Sequence, residues 1–138
     1  MMAAIVMAFA ITTSITTMQR GFLALDTARN ISTAGQIMQS EFEKMRLKSW
    51  TENTGPGGRL VTGLVTIDPS YTANPAVGNR FTLKRTVSDV HTDLMKTVTL
   101  TISWKSYDGR PLSSSYTTYY GKNGLYDYFY NTTYSSLY

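Results

Sequence analysis

The chain has 138 residues, enough for one domain with a modest core. It contains no cysteine, so it can form no disulfide, thiolate nucleophile or cysteine-based metal site. A net charge of +4, with 16% of residues charged, is too weak to mark out DNA, lipid or polysaccharide as a partner, and nucleic acid is not indicated.

The first formal charge in the chain is Arg20. Before it runs MMAAIVMAFAI, followed by a cluster of hydroxyls at Thr12, Thr13, Ser14, Thr16 and Thr17. A secretory signal would place basic residues ahead of the apolar run, and none stand there. A stable membrane span needs about 20 mostly apolar residues, and residues 1–18 nearly supply that length. The hydroxyls can bond carbonyls one turn back in the same helix. A buried core helix rarely runs so far without a charge. The segment reads as a helix that tolerates lipid and can also be buried in protein. Gly21 and the run Ile11-Thr-Thr-Ser-Ile-Thr-Thr17, with its β-branched residues, weaken its middle (Thr12, Thr13, Ser14, Thr16, Thr17 and Gly21), so a bend or partial unwinding is expected within residues 8–21.

No proline stops the helix after Arg20. Ile31, Ala34 or Gly35, Met38, Phe42 and Met45 recur at spacings of three and four and define an apolar stripe. The other faces carry Arg29, Gln36, Gln39, Glu41, Glu43, Lys44, Arg46 and Lys48. Asp26 with Arg29, Glu41 with Lys44 and Glu43 with Arg46 are opposite charges three apart, each adding a few tenths of a kcal/mol at most. The basic residues gather at the C-terminal end, where the helix dipole favours them. Residues 51–58, rich in glycine with one proline, end the helix. One helix over residues 1 to about 50 would be roughly 75 Å long, more than a globule of this size can cover. Its apolar half, residues 1–21, is therefore expected to project, and residues 22–50 to be the amphipathic half.

Beyond the break the period changes to two. Phe81, Leu83 and Val87 alternate with polar residues, as do Val98, Leu100, Ile102 and Trp104, so each run reads as a strand with one buried face. Residues 59–68 read as a further strand, residues 107–110 (Tyr-Asp-Gly-Arg) as a turn, and residues 114–120 as a weaker strand. Residues 68–79 read as a surface loop. The fold class is α+β: a long N-terminal helix whose C-terminal half packs on a small antiparallel sheet. Residues 51–58 are the linker, 59–120 the β-domain and 121–138 a tyrosine-dense tail. Ile31, Met38, Phe42 and Met45 are expected to meet Val98, Leu100, Ile102 and Trp104 between helix and sheet. In the tail, Tyr126, Tyr128, Tyr130, Tyr134 and Tyr138 are candidates for surface contact, since tyrosine makes rigid amphipathic contacts.

No catalytic constellation is present, and neither an enzyme nor a cofactor is expected. Gly55-Pro-Gly-Gly58 follows no strand and precedes no lysine-bearing helix, so it is a linker rather than a phosphate loop. His91, between Asp89 and Asp93, reads as part of a solvated turn rather than a metal site.

The order of these parts resembles the type IV pilins and type II secretion pseudopilins, in the style of the minor pilin branch. The residues that carry the likeness are MMAAIVMAFAI, the amphipathic ALDTARNISTAGQIMQSEFEKMR and the hairpin KTVTLTISWKSYDGR. The resemblance implies a structural subunit that polymerises through its apolar helix. Ile5, Val6, Phe9, Ile11, Ile15, Met18, Phe22 and Leu25 would then line a filament core. It also implies partners: copies of this chain or other pilins, inner-membrane lipid before assembly, and a pilus or secretion assembly machinery. The implied location is the bacterial inner membrane first, then the cell surface or periplasm. The weak middle of the helix would let it stretch on packing. The family's glycine cleavage site and the glutamate a few residues beyond it are absent; alignment puts that glutamate two residues before Met1, as for a late start. In the rival register Ile5 stands where the acid should be. The hydroxyl cluster and the tail weigh towards a repeating subunit over a rare tip subunit. The competing reading is a membrane-anchored binding module that never polymerises, its sheet and tyrosine tail holding a sugar or surface.

Overall fold

Periodicity changes where the architecture changes. In the computed structural model, which describes residues 2–73 and 79–122, the 3.6-residue pattern belongs to helix α1 (Met2–Arg46). The short helix α2 (Trp50–Thr54), strand β1 (Gly63–Val65) and helical turn α3 (Pro69–Thr72) follow. The period-two runs are strands β2 (Thr82–His91), β3 (Met95–Lys105) and β4 (Pro111–Gly121). The four strands form one antiparallel sheet in the order β1-β2-β3-β4. The fold is thus α+β, a long N-terminal helix followed by a small antiparallel sheet that packs on its C-terminal half.

The core lies between α1 and the inner face of that sheet. Ala34, Ile37, Met38, Phe42 and Met45 of α1 meet Leu83 of β2 and Val98, Leu100, Ile102 and Trp104 of β3, with Leu60 and Phe81 closing the edges. Full burial of side chains this size stabilises by about 1.5–3 kcal/mol each, so this layer dominates the stability of the sheet half. Phe42 meets Tyr116 edge-on at 5.4 Å between ring centroids, and Trp50 stacks on Tyr120 at 5.8 Å. One expected core residue is misplaced: Ile31 is 54% exposed, because it lies at the rim of the sheet beside the β3–β4 turn. Ile37 fills the interior position instead.

The helix stops at Arg46 and does not continue to residue 50. Four side chains mark the stop. Ser49 caps α2 by accepting from the Glu52 N–H, while Glu52 reaches back to the Ser49 N–H at 2.8 Å, a capping box that favours a new start here. Asn53, fully buried, donates its amide to the carbonyls of Met45 (2.8 Å) and Lys48 (3.2 Å). The Tyr120 hydroxyl donates to the Lys48 carbonyl at 2.7 Å. The Met45 carbonyl in the last turn of α1, and the Lys48 carbonyl just beyond it, are thereby bonded from α2 and β4. The linker then folds tightly: a Cβ on Gly58 would sit 2.1 Å from the Asn53 carbonyl oxygen, and Gly57 has φ +73°.

Residues 59–68 are mostly not strand. Leu60 turns into the core, and Thr62 uses its hydroxyl in place of backbone, accepting from the Val87 N–H at 2.9 Å. Asp68 then caps α3 through the Ser70 N–H (2.9 Å). His91 is the last residue of β2 and not part of the turn itself; Asp93 in that turn has φ +61°. The expected β3–β4 turn is present, with Gly109 at φ +81° and Gly109 N–H bonded to the Ser106 carbonyl at 2.9 Å.

Charges also pair differently from the local pattern. Glu43 and Arg46 do bond at 2.8 Å. Asp26, however, accepts from Asn30 (3.0 Å) and pairs with Arg80 (3.4 Å) rather than Arg29. Lys44 goes to Asp68 rather than to Glu41. Glu41 is not on a solvated face at all: it is 4% exposed and is shared by Arg59 and Arg85, the latter at 3.1 Å. Burial pushes the Arg85 guanidinium down in pKa, and the Glu41 carboxylate opposes that. The trio clamps α1 to β2 and to the segment before β1.

Candidate assembly surface

Among the described residues, the half of α1 that the sheet does not reach is left uncovered. A helix forms there because, although Thr and Ser compete for backbone, these five turn back onto it. Thr12 and Thr13 donate to the carbonyls of Ala8 and Phe9; Ser14, Thr16 and Thr17 donate to Ala10 (2.9 Å), Thr12 (3.1 Å) and Thr13 (2.8 Å). Each hydroxyl is thus satisfied within the helix, and polar residues cease to oppose an apolar setting. The expected unwinding over residues 8–21 is not present: α1 runs unbroken through Gly21. Around Gly21 nothing of the chain lies within 4 Å of where a Cβ would be.

The side chains expected to line a filament core are all on this half, and none is buried. Exposure is 57% at Ile5, 68% at Val6, 74% at Phe9, 60% at Ile11, 51% at Ile15, and 66–68% at Met18, Phe22 and Leu25. Residues 3–10 are apolar on every side of the helix. Further down, Ile11, Ile15, Met18, Phe22 and Leu25 follow one another at spacings of four and three, which places them on a single face. Thr12, Thr13, Thr16, Thr17 and Arg20 occupy the other side. Monomeric soluble proteins rarely expose an apolar surface this continuous. Among the described residues no helix is long and apolar enough to cross a membrane.

Where the projecting half meets the sheet, the β3–β4 turn stands beside α1. Between them is a groove of about 740 Å³, lined by Gln19, Phe22, Leu23, Asp26, Tyr107 and Asp108. Phe22 and Tyr107, 66% and 80% exposed, wall it. Asp108 accepts from the Arg110 N–H at 3.2 Å, and that bond holds its carboxyl below the usual carboxylate range.

The helix–sheet set divides as described: Met38, Phe42, Met45, Val98, Leu100, Ile102 and Trp104 come together, and Ile31 does not. Tyr126, Tyr128, Tyr130, Tyr134 and Tyr138 lie outside the described residues. The Glu41–Arg59–Arg85 trio was missed, and one signal could have found it. Arg85 occupies an inward position of β2 between Leu83 and Val87, where a charge requires a partner. Among the described residues no group of three His, Asp or Glu side chains could hold a metal ion. Comparison with models of protein families, with curated proteins and with solved structures found no match.

Proposed function

We propose that this chain is a structural subunit of a pilin-like filament, its apolar helix bundled with those of other copies and its sheet outside. One observation carries the proposal: Ile5, Val6, Phe9, Ile11, Ile15, Met18, Phe22 and Leu25 of α1 are each at least half exposed, on a helix whose hydroxyls bond back to its own carbonyls. Burying such side chains is worth about 1.5–3 kcal/mol each, and several copies together can exceed the cost of association. The all-round apolar end needs cover on every side, which a bundle supplies and a single partner does not. Lipid would hold the same segment before assembly, in the bacterial inner membrane, with the filament then at the cell surface or in the periplasm.

The test compares the full chain with a variant lacking residues 3–21, by sedimentation and electron microscopy after detergent removal. The full chain should form elongated particles, and the shortened one a soluble monomer with unchanged near-ultraviolet dichroism from Trp50 and Trp104. A full chain that stays monomeric on vesicles and never forms particles would favour the membrane-anchored binding module instead.

A further inference from the structure

Arg20 is the single charge among residues 2–25, and no carboxylate of the described residues pairs with it. Arg20 lies opposite the apolar stripe, so only a copy packed against that other side of α1 would take its guanidinium out of water, which is costly unless a carboxylate meets it. The groove beside α1 offers one at the same level of the helix. Of its two acids, Asp26 is already engaged with Asn30 and Arg80. Asp108 is exposed, accepts a backbone N–H, and has no hydrogen bond from a cationic side chain, although the Arg110 charge lies near enough to favour its carboxylate. The flanking rings of Phe22 and Tyr107 are exposed, and aromatic faces stack well on a guanidinium.

Arg20 is not among the residues lining the groove of its own chain. At 100° per residue it points roughly 110° round α1 from the mean direction of Gln19, Phe22, Leu23 and Asp26. Cation and receptor thus lie on different sides of one helix, which suits a contact between copies. We propose that the groove between α1 and the β3–β4 turn receives Arg20 of a second copy of this chain, with Asp108 pairing its guanidinium and Phe22 and Tyr107 flanking it. The proposal rests on the filament reading, because it requires copies side by side. Such a contact joins two different surfaces, so it propagates into a ring or an open helix rather than closing as a two-fold dimer. Its axial offset is less than about two helical turns of 5.4 Å.

The absence of native cysteine allows a direct test on the full chain. Arg20→Cys and Asp108→Cys chains are mixed, assembled and mildly oxidised, with Arg20→Cys plus Asp93→Cys as the control at the opposite end of the sheet. The 20–108 pair should give a disulfide-linked dimer and the control should not. In parallel, Arg20→Asp and Asp108→Arg should each raise the concentration needed for assembly at least tenfold, and the two mixed together should recover it. Particles that form normally in both charge variants, or assemblies with no 20–108 cross-link, overturn this contact while leaving the filament reading intact. A wild-type chain that never assembles overturns both.

Discussion

Replacing Glu41 by glutamine should cost far more than removing a surface acid. The carboxylate is 4% exposed and pairs with two guanidiniums, of which Arg85 is 11% exposed and Arg59 31%. The amide would keep the shape but leave Arg85 charged and nearly enclosed. Breaking a buried pair from one side costs about 3–5 kcal/mol. Arg59 can turn partly to water, so the low end applies, about 3 kcal/mol. With a urea m-value of about 2 kcal/mol/M, the unfolding midpoint should fall by about 1.5 M, followed through the fluorescence of the buried Trp104. The combined variant Glu41→Met with Arg85→Met should recover most of the loss, since it removes both charges and leaves the volume filled. A midpoint within about 0.5 M of wild type for Glu41→Gln (~1 kcal/mol), or strictly additive costs in the double variant, would refute the view that this cluster clamps α1 to the sheet.

Asn53→Ala should destabilise by about 2 kcal/mol, because the Met45 and Lys48 carbonyls lose their amide donor. The near-ultraviolet dichroism of Trp50 should weaken with it as the stack on Tyr120 loosens, and an unchanged spectrum would separate the cap from the stack. Asp68 has its carboxyl pKa depressed, chiefly by the Lys44 ammonium and then by the Ser70 N–H and hydroxyl. A depressed carboxyl stabilises the fold above its unfolded pKa of about 4 and loses that contribution as pH falls through the folded value. Wild type should therefore lose more of its thermal midpoint than Asp68→Asn between about pH 5 and pH 2; equal losses would remove Asp68 from the acid response.

Much of the fold was legible because it rests on periodicity. The stripe at Met38, Phe42 and Met45 and the alternation through Val98, Leu100, Ile102 and Trp104 each reflect a face that must be buried, and the structure joins those faces. What escaped the sequence depends on pairings across long separations. Glu41 meets residues 18 and 44 positions away, and its charge disguised an interior site as a surface one. The end of α1 was misplaced because Tyr120, distant in sequence, bonds the Met45 and Lys48 carbonyls at the break. Ile31 fits the helical spacing, but how far the sheet extends along the helix is decided by the length of β3 and β4, which no local pattern records. The apolar half was the easiest part to see, and its large side chains Ile5, Val6, Phe9, Ile11, Ile15 and Met18 are exposed.

The orientation of that surface matters more than its extent. On an ideal helix, Ile11, Ile15, Met18, Phe22 and Leu25 point roughly 140° away from the mean direction of the sheet-facing residues Asn30, Ala34, Ile37, Met38, Glu41, Phe42 and Met45. Averaged over α1 the two stripes largely cancel, which is why the whole helix is scarcely amphipathic although each half has a clear face. The described sheet cannot fold back over the upper stripe, because it already lies on the other side of the same rod and its Arg80–Asp26 pair fixes it there. Cover for Ile11 to Leu25 must then approach from the side opposite the sheet. On the filament reading, this puts sheets outside and apolar stripes at the axis without any change in the fold of the subunit.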